Sequence, residues 1–174
     1  ALAKMALGRK DYASAYAAWE QIPPDERRSE LADVGRELAN GFAAAKQFVA
    51  AANVTRDIAP DPTNAPQVGV ITNGGFETLN LNSTELFDWR IGANAGQQIG
   101  LSADRKVSGT YCLHMIFNTT RAEEFREVSQ TVAVEPGGRY TLSGSYQADI
   151  KGGLVWEIVD ASDGKVIART AALA

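Results

Sequence analysis

The hydrophobic period changes near residue 60, and that change constrains the fold more than any other feature of the chain. Up to Ile58 the apolar residues recur every three or four positions. After Ala59-Pro60-Asp61-Pro62-Thr63-Asn64-Ala65-Pro66 they alternate every second position, and the turns fill with glycine. The first spacing is that of an amphipathic helix, the second that of a strand with one buried face. The expected organisation is α+β by chain: a helical hairpin over 1–58, a proline-rich linker over 59–67, and an antiparallel β-sandwich over 68–174.

Charge narrows the partners. The 174 residues carry a formal net charge of −4. Residues 1–58 hold eight basic and eight acidic side chains, and 59–174 hold nine and thirteen. Neither part offers the basic footprint that phosphate backbones require, so no nucleic-acid partner is expected. No apolar run approaches the length of a membrane span. With one cysteine, Cys112, the chain forms no internal disulfide. It opens Ala1-Leu2-Ala3 without a methionine, which reads as a processed or trimmed product.

In the helical part, Tyr12, Ala15, Tyr16, Trp19 and Ile22 fall at spacings of three and four, on one helical stripe. Asp11 stands where an N-cap is needed, and Pro23-Pro24 stops the helix, because a proline disfavours helical geometry at the residue before it. Gly8, Asp11-Tyr12, Ala15, Trp19 and Pro23-Pro24 resemble the second helix of a tetratricopeptide repeat and its terminating proline. That resemblance covers about two dozen residues and implies a helical surface for protein partners. A second stretch, Leu31, Val34, Leu38, Phe42, Ala45, Val49 and Ala52, reads as one long helix, or as two joined near Gly35 or Gly41, running to about Thr55.

The strand part opens with Val68-Gly69-Val70-Ile71 and a turn at Asn73-Gly74-Gly75. Tyr111, Leu113, Met115 and Phe117 share one strand face, and Cys112, His114 and Ile116 the other. Further strands are expected at Val128–Val134, Tyr140–Asp149, Leu154–Val159 and from Val166, with a hairpin turn at Asp160–Gly164. Short alternating strands with such turns argue an antiparallel architecture.

Ile71-Thr72-Asn73-Gly74-Gly75-Phe76-Glu77 followed by Trp89, then Gly109-Thr110-Tyr111-Cys112-Leu113, then the run from Gln130 to Ser143 through Glu135-Pro136-Gly137-Gly138, resemble bacterial carbohydrate-binding modules of the galactose-binding-domain-like jelly-roll type. The resemblance spans most of residues 68–170. It implies a β-sandwich that binds glycans without catalysis, a core tryptophan at Trp89, and a periplasmic or cell-envelope location. It also implies a structural calcium held in part by Glu77, since that ion takes hard oxygen ligands. The family carries further strands after the one that corresponds to Val166–Arg169, so closing strands are expected from beyond the sequence or from another segment.

Catalytic motifs are not found. The single histidine excludes a multi-histidine metal site within one chain, and there is no Gly-x-Ser-x-Gly elbow or Gly-x-x-x-x-Gly-Lys loop. Cys112 and His114 share a strand face, which a nucleophile pair would need, but so does any ordinary strand. Glu123-Glu124 reads as solvated loop charge. No enzymatic activity is expected.

Sugar binding needs an aromatic surface for the apolar ring face and planar polar groups for hydroxyls. The aromatic candidates are Trp89, Tyr111, Tyr140, Tyr146 and Trp156. Tyr140, Tyr146 and Trp156 share faces with Leu142, Leu154 and Ile158, which assigns them to the core. The candidate glycan-binding residues on the opposite faces are His114, Gln147, Asp149 and Glu157, with Asn118 and Arg121 at a loop mouth. A solvated outer sheet face would carry the same residue types. Two functions follow. In one, the chain is a non-catalytic polysaccharide-binding protein whose helices dock a protein. In the other, it is a structural or assembly component of a cell-envelope or polysaccharide export complex that binds no sugar.

Overall fold

A computed structural model of the chain describes residues 1–78, 83, 85–93, 97–117, 125–151 and 153–173. Helices and small antiparallel sheets give a mixed α+β protein. Five helices come first: α1 (Leu2–Gly8), α2 (Tyr12–Glu20), α3 (Pro24–Arg28), α4 (Ala32–Ala44) and α5 (Phe48–Asp57). The described strands are β1 (Arg90–Ile91), β2 (Gln97–Ser102), β3 (Cys112–Phe117), β4 (Val128–Ser129), β5 (Glu157–Val159) and β6 (Val166–Arg169). They pair as β1 with β4, β2 with β3, and β5 with β6. No helix among the described residues is long and apolar enough to cross a membrane.

Two compact units result, and the chain passes between them more than once. The first comprises Ala1–Gly74, Asn80–Arg90 and Ser129–Arg139; the second comprises Gly75–Leu79, Ile91–Val128 and Tyr140–Ala174. The helical unit thus takes in the proline-rich stretch and two later segments.

Within the first unit, α1 packs on α2 and α4 on α5. Both connections close in the same way. Lys10 and Lys46 adopt left-handed geometry (φ 59° and 64°). Around them, Lys10 N–H donates to Leu7 O and Asp11 N–H to Ala6 O, while Lys46 N–H donates to Ala43 O and Gln47 N–H to Phe42 O. This paired bonding satisfies the last carbonyls of each helix. Asp11 then begins α2, its Oδ1 accepting from Ser14 N–H at 3.1 Å. The N-cap is where the sequence placed it, and α2 ends short of Ile22.

The second helical stretch breaks at Lys46 rather than at Gly35 or Gly41. Both glycines lie inside α4, and close packing explains them. A Cβ on Gly35 would stand 2.5 Å from Ile58 Cγ2 and 2.8 Å from Trp19 Cη2. On Gly41 it would meet Leu7 Cδ2 at 2.8 Å. The core they admit comprises Ala15, Trp19, Leu38, Ala39, Phe42, Ala51, Ala52 and Val54, with Ala3, Phe87 and Ala133 joining it. Tyr12 and Tyr16 set their rings edge-on to Phe42 at 6.4 and 6.1 Å. The linker is itself ordered by Asp61, which accepts from Thr63 N–H at 2.9 Å and from the Asn64 amide at 2.8 Å.

The strand part departs from expectation in four places, one being the strand expected over Leu154–Val159, which forms only at Glu157–Val159. Val68–Ile71 forms no strand; Gln67 and Val70 make an isolated bridge, and Gly69 N–H donates to Ala133 O at 2.7 Å. Beyond Val128–Ser129 the expected strand does not continue. Instead the Gln130 carboxamide pairs with the backbone of Thr72, accepting at 3.0 Å and donating at 2.8 Å. Across 139–150 no ladder is formed among the described residues. Alternation sets which way side chains point, but a strand also needs a neighbour to bond. The Asp160–Gly164 hairpin forms as read, with Gly164 at φ 77° and its N–H donating to Asp160 O at 2.8 Å. Trp89 is buried, its indole N–H donating to Asn73 O at 3.1 Å.

Candidate functional site

β2 and β3 pair antiparallel without interruption, Gln98 opposite Ile116, Gly100 opposite His114 and Ser102 opposite Cys112. Since side chains alternate, Gln98, Gly100, Ser102, Cys112, His114 and Ile116 share one face. Gln97, Ile99, Leu101, Leu113, Met115 and Phe117 share the other, where Gln97 and Ile99 are buried. The assignment of faces along β3 agrees with the sequence reading. Its partner β2 was missed, because Gln97-Gln98-Ile99-Gly100-Leu101-Ser102 carries too few apolar residues to announce alternation.

A buried glutamine fixes one end of this hairpin. The Gln97 carboxamide pairs with the Arg126 backbone, accepting from Arg126 N–H at 2.8 Å and donating to Arg126 O at 3.0 Å. Arg126 Nε in turn donates to Gly92 O at 2.9 Å. Both amide groups of Gln97 are therefore satisfied, as burial demands. At the other end, Glu77 accepts from Thr110 N–H through both carboxylate oxygens, at 2.9 and 3.1 Å. Gly109 beside it has φ 67°, and a Cβ there would overlap Glu77 Oε1.

The solvent face of the hairpin holds a shallow recess of about 220 Å³, lined by Gln98, Ile99, Gly100, Leu101, His114 and Ile116. Gln98, His114 and Ile116 are exposed. None of the five side chains on this face is a carboxylate, ammonium or guanidinium. Cys112 Sγ lies 3.4 Å from Asp104 O and 3.5 Å from Ser102 O, the geometry of a thiol donating to carbonyls.

The other candidates are distributed through the second unit. Gln147 and Asp149 are exposed on the stretch 140–149, which forms no ladder among the described residues. Glu157, on β5, is ion-paired with Arg169, its partner across the hairpin. Asn118 and Arg121 lie outside the described residues. Tyr140 and Tyr146, assigned to the core on alternation, are instead exposed, Tyr146 to 60%. Residues on both faces of that stretch are exposed. Tyr111 is exposed as well. Sequence reasoning passed over a further aromatic pair: Phe117 and Phe125 lie nearly parallel, 7° apart in plane with centroids at 6.4 Å.

Among the described residues no three His, Cys, Asp or Glu side chains gather as a metal would require. Glu77, the residue expected to help hold a calcium, accepts from Thr110 N–H in this structure. Comparison with protein-family models, curated proteins and solved structures finds no match to the chain.

Proposed function

We propose that the chain is a non-catalytic binding protein that engages glycans through its strand part, while the helical part docks a protein partner. The observation that carries this reading is exposure. His114, Gln147, Asp149 and Glu157 stand at the surface of one compact unit that also exposes Tyr111, Tyr140 and Tyr146. Planar polar groups bond sugar hydroxyls, and tyrosine offers an apolar ring with a polar tip. The finer architecture within this proposal is a jelly-roll sandwich of the galactose-binding-domain type, supported by the β2–β3 and β5–β6 hairpins and by buried Trp89. A periplasmic or cell-envelope location and a tetratricopeptide-like docking role for residues 1–58 belong to the same proposal.

A glycan array of bacterial polysaccharides, probed with the intact chain, tests it. Retention on at least one neutral polysaccharide is expected. Clean non-binding by a chain that melts cooperatively would contradict the reading.

One observation favours a second reading, an assembly component of an envelope or polysaccharide export complex with no sugar binding. The β5–β6 hairpin exposes Ile158, Val159, Val166 and Ile167, Ile167 to 65%. Exposed apolar clusters of this kind mark interaction surfaces. A pull-down in which partners are lost on deleting residues 1–58, with no glycan retained, would support it.

A further inference from the structure

Gly100 is the one glycine inside a described strand, and the fold gives it no structural reason to be glycine. Its backbone is not in the left-handed region, unlike Gly69, Gly109, Gly137 and Gly164. Pairing runs through it without a bulge, from Gln97 opposite Phe117 to Ser102 opposite Cys112. Among the described residues a Cβ built on it meets nothing within 4 Å, in contrast to Gly35 and Gly41. Glycine inside a strand weakens it, and its usual reasons are a bulge, a bend or the close approach of something else. The uninterrupted register excludes a bulge, and the open space over the glycine points to close approach.

What the missing side chain leaves open is the recess beside His114, the residue directly across the ladder. Its surroundings specify the chemistry. The imidazole supplies a flat ring with two nitrogens, Gln98 supplies a carboxamide with both donors and an acceptor, and Ile116 supplies an apolar wall. Among the described residues no acidic or basic side chain of the Asp, Glu, Lys or Arg kind lines it. We propose that this recess is the sugar subsite of the strand part, taking one uncharged pyranose ring of a neutral polysaccharide, laid over Gly100 against His114. The proposal rests on the glycan-binding reading and locates it.

The test is affinity electrophoresis through gels containing dextran, galactan or mannan, run with wild type, Gly100→Ala, Gly100→Val and His114→Ala, alongside thermal melts. Wild type is retarded by at least one polysaccharide. Gly100→Val and His114→Ala lose at least tenfold in apparent affinity, Gly100→Ala loses severalfold, and both glycine variants melt at or above the wild-type midpoint, because either residue suits a strand better than glycine. Retarded wild type with undiminished Gly100→Val overturns the subsite and leaves glycan binding standing. Wild type that no gel retards overturns both. A lowered midpoint for Gly100→Ala, the gentlest change, makes the glycine structural and overturns the argument from it.

Discussion

Asp57, near the end of α5, accepts a hydrogen bond from the buried indole of Trp19 at 3.0 Å, across 38 residues of sequence. Arg27 reaches the same oxygen at 2.6 Å, donates through Nε to Ile22 O and through Nη2 to Glu20 O, and stacks its guanidinium over the indole. One arginine on α3 thereby caps the end of α2 and ties it to α5. Asp57→Ala leaves the fully buried indole N–H without its acceptor and the guanidinium without its counter-ion. With the pair still partly exposed, the expected loss is about 2 kcal/mol in a urea melt. Arg27→Ala should lose a similar amount, and the double variant less than the sum, since both changes break the same network.

The two glycines of α4 should respond differently to alanine. Gly35→Ala drives a methyl into Ile58 and the Trp19 ring, both packed in the core. Overpacking should outweigh the gain in helix propensity and cost about 1–3 kcal/mol net. Gly41→Ala meets both methyls and Cγ of Leu7, a half-buried side chain on another helix that can rotate aside. Its thermal midpoint should stay near wild type.

Lys10 holds a left-handed conformation at the helix-closing position where glycine is at ease. Replacing it with glycine should stabilise the helical unit by about 1 kcal/mol, the strain an L-residue carries there. A chemical melt of Lys10→Gly against wild type checks this.

The contrast between these elements shows what the residues disclose by themselves. Asp11 and Pro23-Pro24 act on their immediate neighbours, so the start of α2 and its stop before Ile22 can be read without knowing the rest of the fold. The faces of β3 follow from strict alternation, and the Asp160–Gly164 turn from its own hydrogen bonds. Gly35 and Gly41 misled because their role is set by Trp19, Ile58 and Leu7, distant in sequence. The break at Lys46 carries no glycine to mark it. Gln130 reads as a strand residue, yet its side chain takes the place of a strand at Thr72. The candidate site was half visible. His114 stood out as the only histidine, whereas the meaning of Gly100 depends on its being opposite, which only the ladder register reveals.

Acid should loosen two local structures. The Ser14 hydroxyl and then its N–H hold the Asp11 carboxyl below its usual range, and Thr63 does the same for Asp61. A carboxyl whose value is depressed on folding contributes fully above its unfolded value, about 4, and loses that contribution as pH falls through the depressed one. The amides at the start of α2 and at Thr63 should therefore lose protection, measured against the intrinsic exchange rate at each pH, as pH falls below about 4. Asp11→Asn, which keeps a capping oxygen but cannot titrate, should flatten that dependence at α2 alone.

The central claim, that the strand part binds neutral glycan on the His114 face, is tested most directly by following backbone amide resonances of the intact, isotope-labelled chain while dextran, galactan or mannan oligosaccharide is added. Saturable shifts are expected for Gln98–Ser102 and Cys112–Ile116, with Tyr12–Glu20 and Phe48–Asp57 unmoved. No shift with any of the three sugars, or shifts confined to the helices, would contradict it.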